Sequence, residues 1–202
     1  MKITSAYTEL IWATPDALKV IESAGRVCYK SEGLINEDSA ALFVKKILAN
    51  GHEAVIEHAM ASLRIICDRG VSHEIVRHRI ASYCQESTRY CNYGSGKFGE
   101  EITVIQPVNL SPAAENIWKS ACEHAEKAYL NMLKEGASPQ EARAVLPTCL
   151  KTELIMTANF REWRHFLRLR LAAGAHPDMR VTAKQIQNIL IEVCPVVFES
   201  LD

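Results

Sequence analysis

One long helix constrains the fold most, because residue type marks both of its ends and its buried face. Ser111 and Pro112 are preferred at the N-cap and first position of a helix, and Gly136 is typical of the position after its end. The apolar side chains between them recur at helical spacing and predict the buried face, namely Ile117, Trp118, Ala121, Ala125, Ala128, Tyr129 and Met132. A helix with one apolar face must pack against a second layer of the fold.

We expect that second layer to be a sheet. Alternating side chains predict strands over residues 61–67, 101–106 and 149–157. Caps and helical spacing predict further helices over residues 39–49, 72–77, 139–146, 161–170 and 182–192. These segments do not alternate strictly as strand, helix and strand. We therefore expect an α+β fold with a mixed or antiparallel central sheet and packed helices, forming a single domain over residues 1–202.

Composition and charge argue against several classes of protein. The formal net charge of -1 argues against a nucleic-acid-binding domain, which is usually basic. The sequence has no run of about 18 apolar residues, so we expect no membrane-spanning helix. The seven cysteines are irregularly spaced and include no C-x-x-C pair, which favours reduced thiols in a cytoplasm. The first residues contain no apolar stretch typical of a signal peptide. We expect a cytoplasmic protein that binds neither nucleic acid nor a membrane.

Two short segments of the sequence resemble known ligand-binding motifs but lack the context that those motifs require. Residues 94–99 match G-x-G-x-x-G, but a polar segment precedes them and a strand follows, so we expect a glycine-rich loop instead of a dinucleotide fingerprint. His52 and His58 flank acidic residues, yet they are six positions apart, whereas a zinc-binding helix places two histidines four positions apart. We predict no metal site.

Residues 77–90 are the strongest functional signal. Arg77, His78 and Arg79 place up to three like charges side by side, which repel one another unless an anion or an acidic partner is near. Hydroxyl and amide side chains follow, and then Arg89. Arginine binds phosphate in a bidentate manner, and Ser, Gln and His bind the polar edges of heterocycles. The segment favours a site for a phosphorylated, heterocyclic ligand over a solvated run of charge.

The same segment resembles the signature of flavin-dependent thymidylate synthases, in which Arg-His-Arg is followed by seven residues and a serine, here Ser87. Four further blocks resemble that family in the same order, at residues 51–58, 142–147, 159–170 and 175–180. The chain departs from the family's common residues at Glu74, at Cys84-Gln85 and at Ala54.

The resemblance implies which residues form the site. The residues implied to bind dUMP are Glu74, Arg77, Gln85, Glu86, Ser87, Arg89, Arg143 and Arg170. The residues implied to bind FAD are His52, Ala54, Arg77, His78, Arg79, Asn159, Arg161 and His165. Arg170 is implied to be the catalytic residue.

The resemblance also implies the reaction. dUMP is methylated to dTMP, with 5,10-methylenetetrahydrofolate as the one-carbon donor, NADPH-reduced FAD as the hydride source and tetrahydrofolate as the second product. Methylation of C5 of uracil requires that carbon to become nucleophilic. The family achieves this by stabilising the anion that forms when N3 loses its proton, and a guanidinium suits that role because its charge is fixed. The family is a homotetramer whose sites draw on several subunits.

Two other functions match parts of the sequence. A nucleotide- or RNA-binding module would use the arginine-rich segment, but it predicts a basic domain rich in stacking aromatics, and only 7% of the residues are aromatic. A metal-dependent hydrolase would use the seven histidines, and it predicts bound zinc and no flavin absorbance.

Overall fold

The computed structural model describes residues 1–201 and contains six strands and eight α-helices there. The strands are β1 (Lys2–Thr4), β2 (Tyr7–Ala13), β3 (Met60–Asp68), β4 (Ser82–Gln85), β5 (Thr103–Ile105) and β6 (Lys151–Asn159). The helices are α1 (Ala17–Val27), α2 (Ser39–Ala49), α3 (Arg69–Ile75), α4 (Pro112–Lys134), α5 (Pro139–Ala142), α6 (Phe160–Arg170), α7 (Pro177–Val193) and α8 (Pro195–Phe198). Short 3-10 segments include Glu53–His58 and Arg143–Val145.

The strands form two sheets. One has four strands in the order β2-β3-β6-β4, and the other is a parallel pair of β1 and β5 in which Lys2 lies opposite Thr103. Helices connect and flank these strands without regular alternation, which confirms the predicted α+β class. No helix within residues 1–201 is long and apolar enough to cross a membrane.

The described residues divide into two compact units, each assembled from separate stretches of chain. The first unit contains residues 1–7, 66–76 and 84–154, and the second contains residues 8–65, 77–83 and those from 155 onward. Strands β3 and β6 therefore contribute residues to both units. A single domain over residues 1–202 stays a prediction.

Helix α4 dominates the first unit and has the ends that the sequence predicts. Ser111 Oγ accepts a hydrogen bond from the backbone N–H of Ala114, and Gly136 adopts a positive φ of 90° just beyond the helix. The predicted buried face is partly wrong. Tyr129 is buried together with Cys122, whereas Ile117 is 73% exposed. Helical spacing indicates which side of the helix is apolar. Which residues on that side are buried depends on the surface that packs against the helix.

The second unit packs aromatic side chains of α6 and α8 beneath β3. Trp163 is fully buried, and its indole N–H donates to the backbone carbonyl of Ala61 at 3.1 Å. The rings of Phe160 and Phe198 lie 5.0 Å apart, edge to face. This core fixes the orientation of α6, the helix that presents most of the candidate site.

Several predicted boundaries are wrong. Helix α7 begins at Pro177, and the hydroxyl of Thr182 bonds to the carbonyl of Asp178 inside the helix instead of capping it. Helix α3 ends at Ile75, so Arg77 lies in the loop beyond it. Strand β4 occupies part of the segment expected to be irregular. The elements before residue 28, namely β1, β2 and α1, were not predicted.

Candidate active site

The largest cluster of predicted site residues lies in the second unit, around a cavity of about 700 Å³. Its volume is in the range of small-molecule sites, about 300–1,000 Å³. The residues that line it are Glu53, Glu57, Arg77, His78, Arg79, Ile80, Asn159, Arg161, Glu162, His165, Arg168, Leu169 and Arg170. Six of the eight residues predicted to bind FAD are in this set, and so is the predicted catalytic Arg170.

Helix α6 positions one side of the cavity. Asn159 Oδ1 accepts a hydrogen bond from the backbone N–H of Glu162 at 2.9 Å, so Asn159 caps the helix as its sequence predicts. One turn further on, His165 is exposed at the cavity, and Arg170 lies in the last turn. The loop of residues 77–80 forms another wall, where Arg77 and Arg79 are exposed and His78 is buried between them.

His78 lies at the centre of a buried hydrogen-bonded chain. Its Nε2 is 3.0 Å from Nε of Arg170, and its Nδ1 is 3.1 Å from Oε1 of Glu162. Burial, with Arg170 nearby, lowers the pKa of His78 to about 4, so the ring is neutral at pH 7. Burial also raises the pKa of Glu162 above its ordinary value. The sequence reasoning missed Glu162, because a carboxylate three residues after an N-cap is typical of a capping turn.

On the other side of α6, Glu53 forms close ion pairs with two of the arginines of this helix. Its carboxylate accepts hydrogen bonds from Arg168 at 2.7 Å and from Arg164 at 3.1 Å, and these two guanidinium groups hold the pKa of Glu53 below its ordinary value. Arg161 pairs most closely with Glu57, at 2.6 Å, and this bond raises the pKa of Arg161, while its Nε lies 3.9 Å from Glu53. The four arginines of α6 therefore differ in role, although the sequence presents them as one array.

The lining of this cavity is suited to FAD. Five arginines and three glutamates line it, which leaves an excess of positive charge for a pyrophosphate. Arginine side chains also lie beside the flat surfaces of aromatic ligands. The donor set therefore fits a dinucleotide held without a glycine-rich fingerprint.

Two predicted FAD residues lie elsewhere. His52 lines a second cavity of about 600 Å³ in the same unit, together with Arg26, Tyr29 and Phe43. Ala54 is exposed on the 3-10 segment Glu53–His58. Their contact with FAD stays a prediction.

The first unit holds a smaller cavity, of about 360 Å³, which contains the predicted Arg143. Arg69 and His73 of α3 line it as well, and neither was predicted from the sequence. Nη1 of Arg143 donates to Oγ1 of Thr88 at 3.4 Å. Nη1 of Arg69 is buried without a hydrogen-bond partner among the described residues. A buried, unpartnered guanidinium N–H is costly, and it points to an anionic ligand that the chain alone does not supply.

The other predicted dUMP residues of this unit are held by side-chain contacts. Gln85 donates from Nε2 to the hydroxyls of Ser72 and Thr152, at 2.9 and 3.2 Å. Glu86 accepts from the Lys151 ammonium at 2.8 Å and from the Tyr93 hydroxyl at 2.7 Å.

The three remaining predicted dUMP residues of the first unit lie near turns. Ser87 Oγ accepts from the backbone N–H of Arg89 at 3.3 Å, and Arg89 Nε donates to Oε1 of Gln140 at 3.1 Å. Glu74 is half-buried near the end of α3. Arg143 therefore lies at a cavity, and hydrogen bonds hold the side chains of Gln85 and Glu86 in fixed orientations.

The three buried cysteines do not resemble activated nucleophiles. Cys67, Cys122 and Cys194 are buried, and burial raises the pKa of each thiol, to about 12 for Cys122 and about 11 for Cys194. A raised pKa disfavours the thiolate that nucleophilic attack requires. Cys84 is exposed and Cys91 is half-buried.

Comparisons with known proteins identify the family of this chain. A family model described as "Thymidylate synthase complementing protein" matches residues 9–196. A flavin-dependent thymidylate synthase of Geobacter sulfurreducens is 33% identical over 94% of this chain and 84% of that protein. The enzyme of the same name from Mycolicibacterium gilvum is 31% identical over 98% of this chain and 86% of that protein.

A solved structure shows the same fold. It is a UMP/dUMP methylase from Streptomyces cacaoi bound with 5-Br dUMP, with a TM-score of 0.83, 22% identity and coverage of 98% of this chain and 96% of that one. The family model spans nearly the whole sequence, and the relatives exceed 30% identity over most of both proteins. The chain therefore belongs to the flavin-dependent thymidylate synthase family.

Proposed function

We propose that this protein is a thymidylate synthase that converts dUMP to dTMP with bound FAD. Family membership supports the reaction class, and one structural observation carries the assignment of the site. Arg170 lies in a cation-rich cavity with the Arg77-His78-Arg79 segment and is hydrogen-bonded to a buried, neutral His78. A guanidinium held in this way suits the stabilisation of a developing anion.

FAD would be held by side chains of the second unit. Arg77, Arg79 and Arg161 would bind its phosphates, and Asn159 and His165 would contact polar edges of the ligand, since all five line the cavity. When bound, the flavin supplies the two electrons that reduce the transferred one-carbon group to a methyl group. We propose the same cofactor role for His52 and Ala54, which would contact FAD from outside this cavity.

The dUMP phosphate is assigned to the cavity of Arg143 in the first unit. Arg69 and His73 add donors there, and none of the residues that line this cavity is acidic, so a phosphate monoester meets only favourable charge. Arg89 and Ser87 would bind the phosphate together with Arg143. Gln85 and Glu74 would bind the sugar or the base, with Glu86 next to Gln85 in the chain.

Arg170 would act on the pyrimidine. It stabilises the negative charge that spreads over N3 and O4 when N3 loses its proton, and the same charge makes C5 nucleophilic toward the one-carbon donor. Arg170 does not remove the proton itself, because the pKa of a guanidinium is too high for it to serve as a base. No cysteine needs to add to C6 in this reaction.

The co-substrates and the assembly belong to the same proposal. NADPH is the reductant, 5,10-methylenetetrahydrofolate is the one-carbon donor, and four copies of the chain associate so that each site draws on more than one subunit. The family's properties support these assignments, and the residues proposed for dUMP and FAD are spread over distant parts of the sequence.

The experiment is a turnover assay with omission of single components. Purified protein that has been freed of flavin should form dTMP when it is supplied with FAD, NADPH, 5,10-methylenetetrahydrofolate and dUMP, as measured by chromatography. Leaving out any one component should stop product formation. If dTMP forms without flavin, or does not form with all components present, the proposed function is wrong.

A further inference from the structure

The hydrogen bonds around His78 determine which ring nitrogen carries the proton. A guanidinium N–H is only a donor, and Nε of Arg170 lies 3.0 Å from Nε2 of His78, so Nε2 is the unprotonated, accepting nitrogen. The proton of the neutral ring must then lie on Nδ1. Nδ1 is 3.1 Å from Oε1 of Glu162, so it donates to that carboxyl group.

The ring has little room to leave this position. His78 is 5% exposed and Glu162 is 6% exposed. The rings of Phe166 and His165 lie 4.7 and 5.6 Å from the ring of His78. The hydroxyl of Tyr83 donates to the backbone carbonyl of His78 at 2.7 Å and anchors the loop that carries it. The two ring nitrogens therefore stay directed at Glu162 and Arg170.

We propose that Glu162 and His78 are positioning residues for Arg170, in which Glu162 holds the proton of His78 on Nδ1 so that Nε2 can accept from the guanidinium. This inference rests on the role of Arg170 in the proposed function. The imidazole is neutral at pH 7, because burial and Arg170 lower its pKa to about 4, so it orients the guanidinium without cancelling its charge.

The same geometry bears on metal binding. His78, Glu162 and His165 bring their ligand atoms within 4.8 Å of one another, which is close enough for a shared metal ion. A metal needs a lone pair on the imidazole. Here Nδ1 carries the proton and Nε2 accepts from Arg170. Binding of a metal at His78 would require Arg170 to move away. Detection of a bound metal there would therefore contradict the proposal.

Nitrogen NMR of the purified protein with labelled histidines tests the protonation directly. The His78 signals are assigned by their loss in His78→Gln. We expect a ring with a protonated Nδ1 and an unprotonated Nε2, unchanged from pH about 8 to about 5, whereas an ordinary histidine titrates near 6.5. A proton on Nε2, a second proton gained near pH 6.5, or a shift on addition of zinc chloride would overturn the proposal.

Variants of Glu162 test the consequence for catalysis. Glu162→Gln keeps an acceptor oxygen for Nδ1–H, and Glu162→Ala does not. We expect kcat to fall about tenfold or more in Glu162→Ala and much less in Glu162→Gln, with the KM for dUMP and the affinity for FAD within about twofold of wild type. The NMR signals of Glu162→Ala should show the proton partly moved to Nε2.

The control is Glu9→Gln in the same unit, where an exposed carboxylate pairs with Arg64 at 3.4 Å. Its kcat should equal that of wild type. An unchanged kcat in Glu162→Ala refutes the proposal, and so does a joint loss of kcat, flavin affinity and thermal stability, which indicates a structural role. If wild-type protein forms no dTMP, the proposed function fails, while the NMR result still decides the protonation of His78.

Discussion

Arg164 should be a structural residue, although its sequence places it in the same array as the proposed ligand-binding arginines. Its side chain is 3% exposed. Nε donates to Oε1 of Glu53 at 3.1 Å, and Nη1 donates to the backbone carbonyls of Val197 and of Ser200, the latter at 2.5 Å. These carbonyls lie at the end of α8, where the helix offers them no partner of its own.

The cost of Arg164→Ala follows from these contacts. The buried carbonyl of Val197 loses its donor, at about 1–3 kcal/mol, the carbonyl of the exposed Ser200 loses a hydrogen bond of smaller value, and one charge-assisted bond to Glu53 is lost. Glu53 keeps its bond to Arg168 at 2.7 Å, so it is not left unpaired. We expect the free energy of unfolding to fall by about 2–4 kcal/mol, from the carbonyl hydrogen bonds and the charge-assisted bond that are lost. For a chain of this size, each kcal/mol lowers Tm by about 2–4 °C.

Arg161→Ala is the matched control on the same helix. The Arg161 side chain is 51% exposed, and it pairs at the surface with Glu57. Its loss should cost no more than about 1 kcal/mol. The assay is denaturant unfolding of flavin-free protein, because a bound ligand would change the apparent stability. The reasoning is refuted if Arg164→Ala lies within about 1 kcal/mol of wild type, or if both variants lose the same stability.

Three further predictions concern turnover and pH. Arg170→Ala should lower kcat about 10² to 10³-fold, the usual effect of removing a charge aimed at a developing anion, while FAD absorbance is retained and Arg64→Ala is unaffected; flavin loss would contradict it. Cys84→Ser and Cys91→Ser should each keep most of the turnover, and complete loss in a folded variant that binds dUMP would identify a covalent nucleophile. Arg168 and Arg164 lower the pKa of Glu53, so its contribution to stability is full above its ordinary value of 4.5 and is lost as pH falls through the folded value. Glu53→Gln should therefore show a smaller loss of stability on acidification than wild type, and an equal loss would count against the ion cluster.

The sequence predicted those parts of the fold that depend on neighbouring residues. Asn159 caps α6 and Ser111 caps α4, because a cap requires only a side-chain oxygen and the next turn of the same helix. The buried face of α4 was predicted less well, since Ile117 faces solvent while Cys122 is covered. Spacing along a helix does not reveal the shape of the surface that packs against it.

The candidate site was predicted to a similar degree. The motif residues Arg77, His78 and Arg79 line one cavity with Arg170, although the resemblance assigned the motif to FAD and Arg170 to dUMP. The sequence did not distinguish the buried Arg164 from the exposed Arg161, because burial of a charge depends on distant partners such as the carbonyls at the end of α8. Arg69 was missed for a related reason: only the folded chain brings α3 beside Arg143.

One measurement tests the central claim most directly. Protein with one bound FAD is reduced by NADPH without oxygen, separated from excess reductant, and mixed with dUMP and 5,10-methylenetetrahydrofolate. The account predicts that the flavin absorbance returns as dTMP forms, with one dTMP for each flavin that is reoxidised. A flavin that stays reduced while dTMP forms, or dTMP formation at the same rate in flavin-free protein, would contradict the account.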